Sequence, residues 1–385
     1  MSKYVKLGDI AKIYSGGTPS RLNQNYWGGK IPWLKTTQIQ NCIITEREID
    51  EWITEEGLKK SSAKLVPKGT IVIAMIGQGK TRGQVAILDI AATTNQNAAA
   101  IELREGYNKD YVYQQLLFRY KEIRNISNSS GQQNLNLEII KSITFPQVTL
   151  SAQIAIGKLF TTWDQAIKKI RQLIATKGNQ YIWLISNLIL NNKHHYGHIR
   201  DFTSEISRRN NRKAIERVLS VTNDRGFLLP EDQFERSVAS SDLSNYKVVT
   251  HGQYAYNPSR INVGSIARLD QWDNGVLSPM YVVFEINEQK VNSDYFLHWL
   301  ESHEAKQRIR RSAQGSVRET VSFTDLGAIP FPLPSLDKQI TIVSVLNTAQ
   351  QEINLLKKQL DAYRNQKRGL MQKLLTGQWR VKAGE

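Results

Sequence analysis

The chain has 385 residues, 40% of them hydrophobic, with a formal net charge of +16 and a single cysteine, Cys42. That length supports two domains with cores of their own, and one cysteine excludes an internal disulfide and a cysteine-built zinc site. Cut at Asn192, the first part holds 24 Lys and Arg against 14 Asp and Glu (+10) and the second 27 against 21 (+6). The basicity therefore belongs to both halves, not to a tail, and suits a polyanion such as nucleic acid. The N-terminus lacks the apolar run of a signal peptide. The longest apolar stretch, around Tyr181 to Leu190, is broken by Ser186 and Asn187 and is too short to span a bilayer. The expectation is a cytoplasmic protein.

In chain order, residues 1–149 read as a first α/β domain. Residues 70–76 and 84–88 are strand-like runs joined by a Gly-rich loop, and 110–120 has the pattern of a short helix. Polar loops carry Ser20, Arg21, Lys35, Thr36, Thr37, Gln38, then Gln78, Lys80, Thr81 and Arg82, then Asn95, Gln96, Gln132 and Gln133. These are the side-chain types that read base edges, and flanking glycines let backbone approach phosphate. Residues 150–192 form a long helix. Ile156, Phe160, Trp163, Ile167, Ile170 and Ile174 lie at alternating steps of four and three, and Lys177, Tyr181, Leu184 and Leu188 continue them. That spacing is a coiled-coil seam.

Residues 191–197 are polar and include a linker. Residues 193–335 read as a second domain, with strands at 281–286 and 261–267 and a short helix at 294–302. Its polar loops carry Asn223, Asp224 and Arg225, then Ser259, Arg260 and Asn262, then Ser316 and Arg318. Residues 336–379 repeat the long helix. Ile342, Leu346, Ala349, Ile353, Leu356, Leu360, Tyr363, Lys367, Leu370 and Leu374 match the first seam without a gap at an offset of 186, which begins at Ile143-Thr-Phe-Pro and Ile329-Pro-Phe-Pro. The domains do not keep it: Asp9 meets Asp201 at an offset of 192. About five heptads, each helix roughly 50 to 60 Å long, need a partner for so narrow a stripe. The other copy, lying antiparallel, is the expected one.

Several chemical motifs are incomplete. Ala74-Met-Ile-Gly-Gln-Gly-Lys-Thr81 fits a relaxed phosphate-binding loop, but strand-like residues follow where a helix must receive the phosphates. Tyr256-Asn-Pro-Ser259 lacks the second proline and the aromatic of the amino-methyltransferase signature. His194, His195 and His198 have no acid or cysteine at metal-ligand spacing. These residues argue for binding and not catalysis. The competing reading is an enzyme in its own right, with the Lys80 loop or the Asn257-Pro258 turn holding a nucleotide or S-adenosylmethionine.

Ser15-Gly-Gly-Thr-Pro-Ser20, Tyr26-Trp-Gly-Gly29 and Ile31-Pro-Trp-Leu34, with Tyr256 to Ala267 and Ser278-Pro-Met-Tyr281, resemble motifs of the specificity subunits of type I restriction-modification systems. Leu336-Asp-Lys-Gln339 and Leu374-Leu-Thr-Gly377 resemble the motifs bounding that family's spacer helix. The first copy keeps Leu150-Ser-Ala-Gln153 but replaces the exit with Leu190-Asn-Asn. The resemblance implies an α+β chain with two target-recognition domains in pseudo-twofold arrangement, joined by two long antiparallel coiled-coil helices. It implies no catalytic activity and no cofactor in this chain. Its partners would be double-stranded DNA, two modification subunits that bind S-adenosylmethionine, and restriction subunits that use ATP and Mg, with no membrane.

Overall fold

A computed structural model describes residues 4–77, 79–126, 134–191, 194–211, 214–229, 242–314 and 320–381. Gln78, Gln132, Gln133, Ser316 and Arg318 lie outside them. The chain divides into two compact units. One comprises Met1–Arg171 with Gln359–Glu385, and the other Gln172–Lys358. Both long helices, Leu150–Ile185 and Leu336–Leu374, contribute to both units. Their lengths are about 54 and 58 Å. None of the helices among the described residues is long and apolar enough to cross a membrane.

In the first unit a five-stranded sheet runs in the order Ala11–Ser15, Ala98–Leu103, Ile71–Ala74, Val85–Leu88, Cys42–Ile44. Only the last pairing is parallel. Ile71–Ala74 and Val85–Leu88 are buried throughout, as expected for central strands covered on both faces. One face packs on the helix Lys109–Phe118 and on Ile156 and Phe160 of the first long helix. The other buries Leu34, Ile39, Ile44 and Val66.

The second unit repeats this order with Thr203–Ile206, Val282–Ile286, Tyr254–Tyr256 and Ile266–Arg268. Its helix Ser293–Glu301 occupies the place of Lys109–Phe118, and Phe284, Phe296 and Trp299 fill the core. The duplication thus extends into the strand order, where the gap-free offset fails. The run 261–267 is not one strand. Ile261–Val263 is a 3-10 turn closed by Gly264 in the left-handed region (φ 97), and only Ile266–Arg268 is extended. The polar stretch expected to be linker ends in a strand, Tyr196–His198, which pairs with Pro330–Pro332 as Tyr4–Lys6 pairs with Thr144–Pro146.

Each unit is tied to its long helices by a buried glutamine in the first turn of one of them. Gln153 Oε1 accepts the Asn108 N–H (2.9 Å), and its amide donates to Val148 O (3.1 Å). Gln339 Oε1 accepts the Asn292 N–H (2.8 Å), and its amide donates to Pro334 O (2.9 Å) and Lys290 O (3.2 Å). Asn108 and Asn292 cap the domain helices, accepting from the Tyr111 and Tyr295 N–H groups. One side chain therefore fixes strand exit, helix cap and long-helix start together.

Within each unit the two long helices run antiparallel. In the first, Asp164 accepts from Lys367 (2.6 Å) and Gln114 (2.8 Å), and Trp163 meets Tyr363 edge to face. In the second, Lys177 pairs with Glu352 (2.9 Å). There His298 of the domain helix bridges the pair: Tyr181 Oη is 2.8 Å from Nδ1, and Asn347 Oδ1 2.9 Å from Nε2. Among the seam positions, Ile156, Phe160, Ile167, Ile170, Ile342, Leu346, Ile353, Leu360 and Leu374 are buried, and Trp163, Ile174, Leu356 and Leu370 half-buried. The second helix ends on Gly377 (φ 77), whose N–H reaches Leu374 O. That is the left-handed stop that glycine provides. The first copy has no glycine there and ends in a π-helical turn, Ser186–Leu190.

Two outcomes are expected. Gln339→Leu leaves buried backbone groups without partners, costs about 2–3 kcal/mol, and lowers the thermal unfolding midpoint by several degrees. Burial holds His298 below the ordinary histidine range, outweighing the pull of Asn347, Asp294 and Glu301. The neutral form is therefore favoured on folding, and its contribution is whole above the unfolded-state pKa of about 6.5 and lost as pH falls below it. The second unit melts lower at pH 5.5 than at 7.5, and His298→Gln, which installs the first unit's residue, flattens that difference.

Candidate nucleic-acid interface

The strand register gathers the polar loops of the first unit at one end of its sheet. Ser15 faces Ala99, Ala74 faces Ala98, Ile73 faces Val85 and Cys42 faces Ala86. The segments that follow Ser15 and Ala74, and those that precede Ala98 and Cys42, must then emerge together. They carry Ser20 and Arg21, Lys80 to Arg82, Asn95 and Gln96, and Lys35 to Gln38. Cross-links join them. Gly17 N–H donates to Thr94 O (2.8 Å), Met75 N–H to Asn97 O (2.9 Å), and Leu135 N–H to Met75 O (2.9 Å). The Thr18 hydroxyl donates to Gln96 Oε1 (2.5 Å), and that of Thr36 to Asn95 Oδ1 (2.8 Å).

The Gly-Gly-Thr-Pro loop is pinned from beneath. The Trp33 indole donates to Gly17 O (3.0 Å) and the Trp27 indole to Ser20 O (3.1 Å). A Cβ on Gly16 would stand 2.0 Å from Thr94 O, and one on Gly17 2.3 Å from the Ser62 carbonyl carbon. Only glycine permits that approach. Arg21 is stacked 3.7 Å from the Trp27 ring centroid and 4.9 Å from that of Trp33. It pairs with Glu51 (2.6 Å), as Lys35 does (2.5 Å), and Lys35 also reaches Asp50 (3.1 Å). Burial pushes the Glu51 carboxyl up, but the bonds from Lys35 and Arg21 outweigh it and hold it below the usual range. Glu51 and Asp50 raise the Lys35 ammonium above its ordinary value.

The expected residues behave differently from one another. Ser20, Arg21, Thr37, Lys80 and Gln96 are exposed, Lys35, Thr81 and Asn95 half-buried, and Thr36 buried. Arg82 is 8% exposed, donates through Nη2 to Arg124 O (3.0 Å), and accepts at its own carbonyl from Arg124 (3.3 Å). With Tyr120 Oη donating to Lys80 O (2.6 Å), this braces the 79–83 loop against the helix Tyr120–Asn125. The loop turns back between antiparallel neighbours, with Gly83 N–H on Ala74 O (2.9 Å), and runs into a strand, not a helix. It lacks the helix N-terminus that a nucleotide phosphate would need.

In the second unit Tyr256 faces both Val282 and Ile266. The 257–265 loop therefore leaves the matching end of its sheet. Ser259, Arg260 and Arg225 are exposed and Asn262 is half-buried. The hairpin turn at Asn223 to Arg225 adjoins this loop: a Cβ on Gly264 would lie 3.6 Å from Asn223 Cβ, and Ser265 Oγ donates to Val221 O (2.8 Å). Asn257 Oδ1 accepts the Ser259 N–H (3.0 Å), so the Asn-Pro turn caps itself. Val321 N–H meets Pro258 O (3.1 Å), the counterpart of Leu135 on Met75. His194 Nε2 lies 3.2 Å from Leu188 O, and no group of three His, Cys, Asp or Glu among the described residues is placed to hold a metal. Local pattern does not single out Glu51 or Arg310, whose Nε reaches Asn262 O (3.3 Å); each acts across a separation that only the fold supplies.

A family profile described as the type I restriction modification DNA specificity domain matches residues 2–176 and 251–362. Among curated relatives, the MjaIX specificity subunit of Methanocaldococcus jannaschii is 31% identical over 170 residues, which are 42% of this chain and 38% of that protein's length. The putative MjaX specificity subunit of the same organism is 22% identical over 98% of this chain and 93% of its own. The type I restriction-modification S subunit of M. genitalium has a similar fold, with a TM-score of 0.61 at 15% identity over 97% of this chain and 96% of that one.

Gly16→Val is expected to drive the loop at 16–22 off the Trp33 indole, at about 1–3 kcal/mol for the misfit. Thermal melting and tryptophan fluorescence report the displacement.

Proposed function

The chain belongs to the type I restriction-modification DNA specificity family, and on that premise we propose that it is the non-catalytic subunit that selects the DNA sequence. Residues 1–149 and 193–335 are the two target-recognition domains, and each reads one half of a bipartite site in double-stranded DNA. Residues 150–192 and 336–379 are spacer helices that set the gap between half-sites and dock two modification subunits. Those subunits bind S-adenosylmethionine and methylate adenine, which must be flipped from the duplex. Restriction subunits bring ATP- and Mg-dependent translocation and cleavage. The complex works in the cytoplasm.

The observation that carries this reading is that the polar loops of the first unit leave one end of its sheet, and the Arg260 loop of the second leaves the matching end with the Asn223–Arg225 hairpin turn beside it. A rigid scaffold with clustered side chains suited to base edges is what direct readout requires. The formal charge of +16, shared between both halves, supplies sequence-blind attraction to phosphate.

Co-expression with the modification subunit, followed by sequencing of methylated DNA, tests the proposal. A single bipartite motif with a fixed gap is expected. Methylation without sequence preference, or saturable micromolar binding of ATP or S-adenosylmethionine by this chain alone, rejects it. Arg260→Ala should weaken target binding by about 1–3 kcal/mol and relax one position of one half-site if the guanidinium contacts a base. Unchanged affinity and unchanged motif would remove Arg260 from the interface.

A further inference from the structure

We propose that Glu51 determines specificity in the first unit by holding Arg21 and Lys35 in place of a DNA phosphate. The two cations are thereby withheld from sequence-blind backbone contact, and released only where base contacts form as well. This rests on the DNA-recognition reading above.

The carboxylate is placed as a bridging phosphate would be. Its Oε2 takes Arg21 (2.6 Å) and its Oε1 takes Lys35 (2.5 Å), one oxygen to each cation. None of the three side chains is positioned by chance. The Glu51 carbonyl accepts the Trp33 N–H (2.9 Å), and the chain passes directly into Trp52–Ile53, which pairs with the strand carrying Trp33. Arg21 lies on Trp27 and Trp33, whose indoles tether its loop. The Lys35 N–H donates to Gln38 Oε1 (2.7 Å), and the Gln38 amide donates to Asp50 Oδ1 (3.1 Å).

Charge makes the arrangement informative. The whole chain carries +16, yet at this loop face two cations meet two carboxylates, Asp50 and Glu51. Left free, Arg21 and Lys35 would each add a phosphate contact and its counterion release to any duplex. The pairs remain open to exchange: the Arg21 side chain is 53% exposed and that of Lys35 32%. Glu51 itself is 25% exposed, so the pairs are partly screened by salt and open to exchange with a phosphate on the side of the cations. A phosphate that displaces Glu51 leaves a fixed carboxylate close by, and like charges repel. Backbone contact alone therefore gains little. Contacts from Gln96, Asn95 and Thr37, on the same sheet end, must accompany it.

The test uses the complex of the full chain with its modification subunit, titrated against its mapped target duplex and a scrambled duplex over a salt series. Glu51→Gln keeps the shape and removes the charge. Its expected result is about fivefold or more tighter binding of the scrambled duplex, with a salt slope steeper by about one to two, and a lower target-to-scrambled ratio. Placed in an Arg21→Gln, Lys35→Gln background, Glu51→Gln should give no such gain. A gain of affinity is a result that a damaged fold would not produce. Scrambled-duplex affinity and slope unmoved by Glu51→Gln overturn the proposal, as does a gain that persists without Arg21 and Lys35. A parent complex that fails to prefer target over scrambled DNA removes the recognition reading and this proposal with it.

Discussion

A buried glutamine amide in the first turn of each long helix is the interaction to which the rest of each unit is referred. Gln153 and Gln339 are 3% and 0% exposed, and each joins the cap of a domain helix to the turn that starts a long helix. A buried amide is costly unless satisfied, so the backbone around it has one arrangement that meets the requirement. The domain helix is fixed there, the sheet packs on that helix, and the loops at the sheet end inherit their positions. Polar contacts further along differ in chemistry between the units, with Gln114, Asp164 and Lys367 in one and His298, Tyr181 and Asn347 in the other. Both clamp the domain helix to the long helices within its unit.

Rigidity and chemistry are thus separated along the chain. The central strands of the first sheet are short, apolar and buried, and strand register decides which loops share an end. The loops are held by bonds that occupy backbone: indole N–H groups on Gly17 and Ser20, a tyrosine on Lys80, an arginine on Asn262. Exposed side chains at Lys80, Arg225 and Arg260 are left on supports that do not depend on them.

Much of this was legible in the amino-acid order. The seam positions, the repeated Phe-Pro start, the paired strands around 71–74 and 85–88, and the composition of the loops all follow from local pattern. Partnerships across the fold did not. Arg82 reads as a loop cation, yet it turns inward to Arg124, 42 residues away. Arg21 reads as a loop cation suited to base edges, yet strand pairing brings Glu51 within 2.6 Å of it. The run at 261–267 has the apolar alternation of a strand, but a left-handed Gly264 divides it. Nor did sequence comparison of the halves expose their common strand order, because the loops between the strands differ in length.

That difference in length bears on inheritance. Corresponding points are 192 residues apart at Tyr4 and Tyr196, 184 at Asn108 and Asn292, and 186 from Leu135 and Val321 onward. Residues have been gained and lost between these points, while the bonds made at them are the same. A chain built in this way can absorb insertions at the sheet end without disturbing the glutamine ties or the helix seam. Its surface chemistry can drift quickly over a framework that stays still, and the two halves of one molecule can diverge while remaining interchangeable in plan.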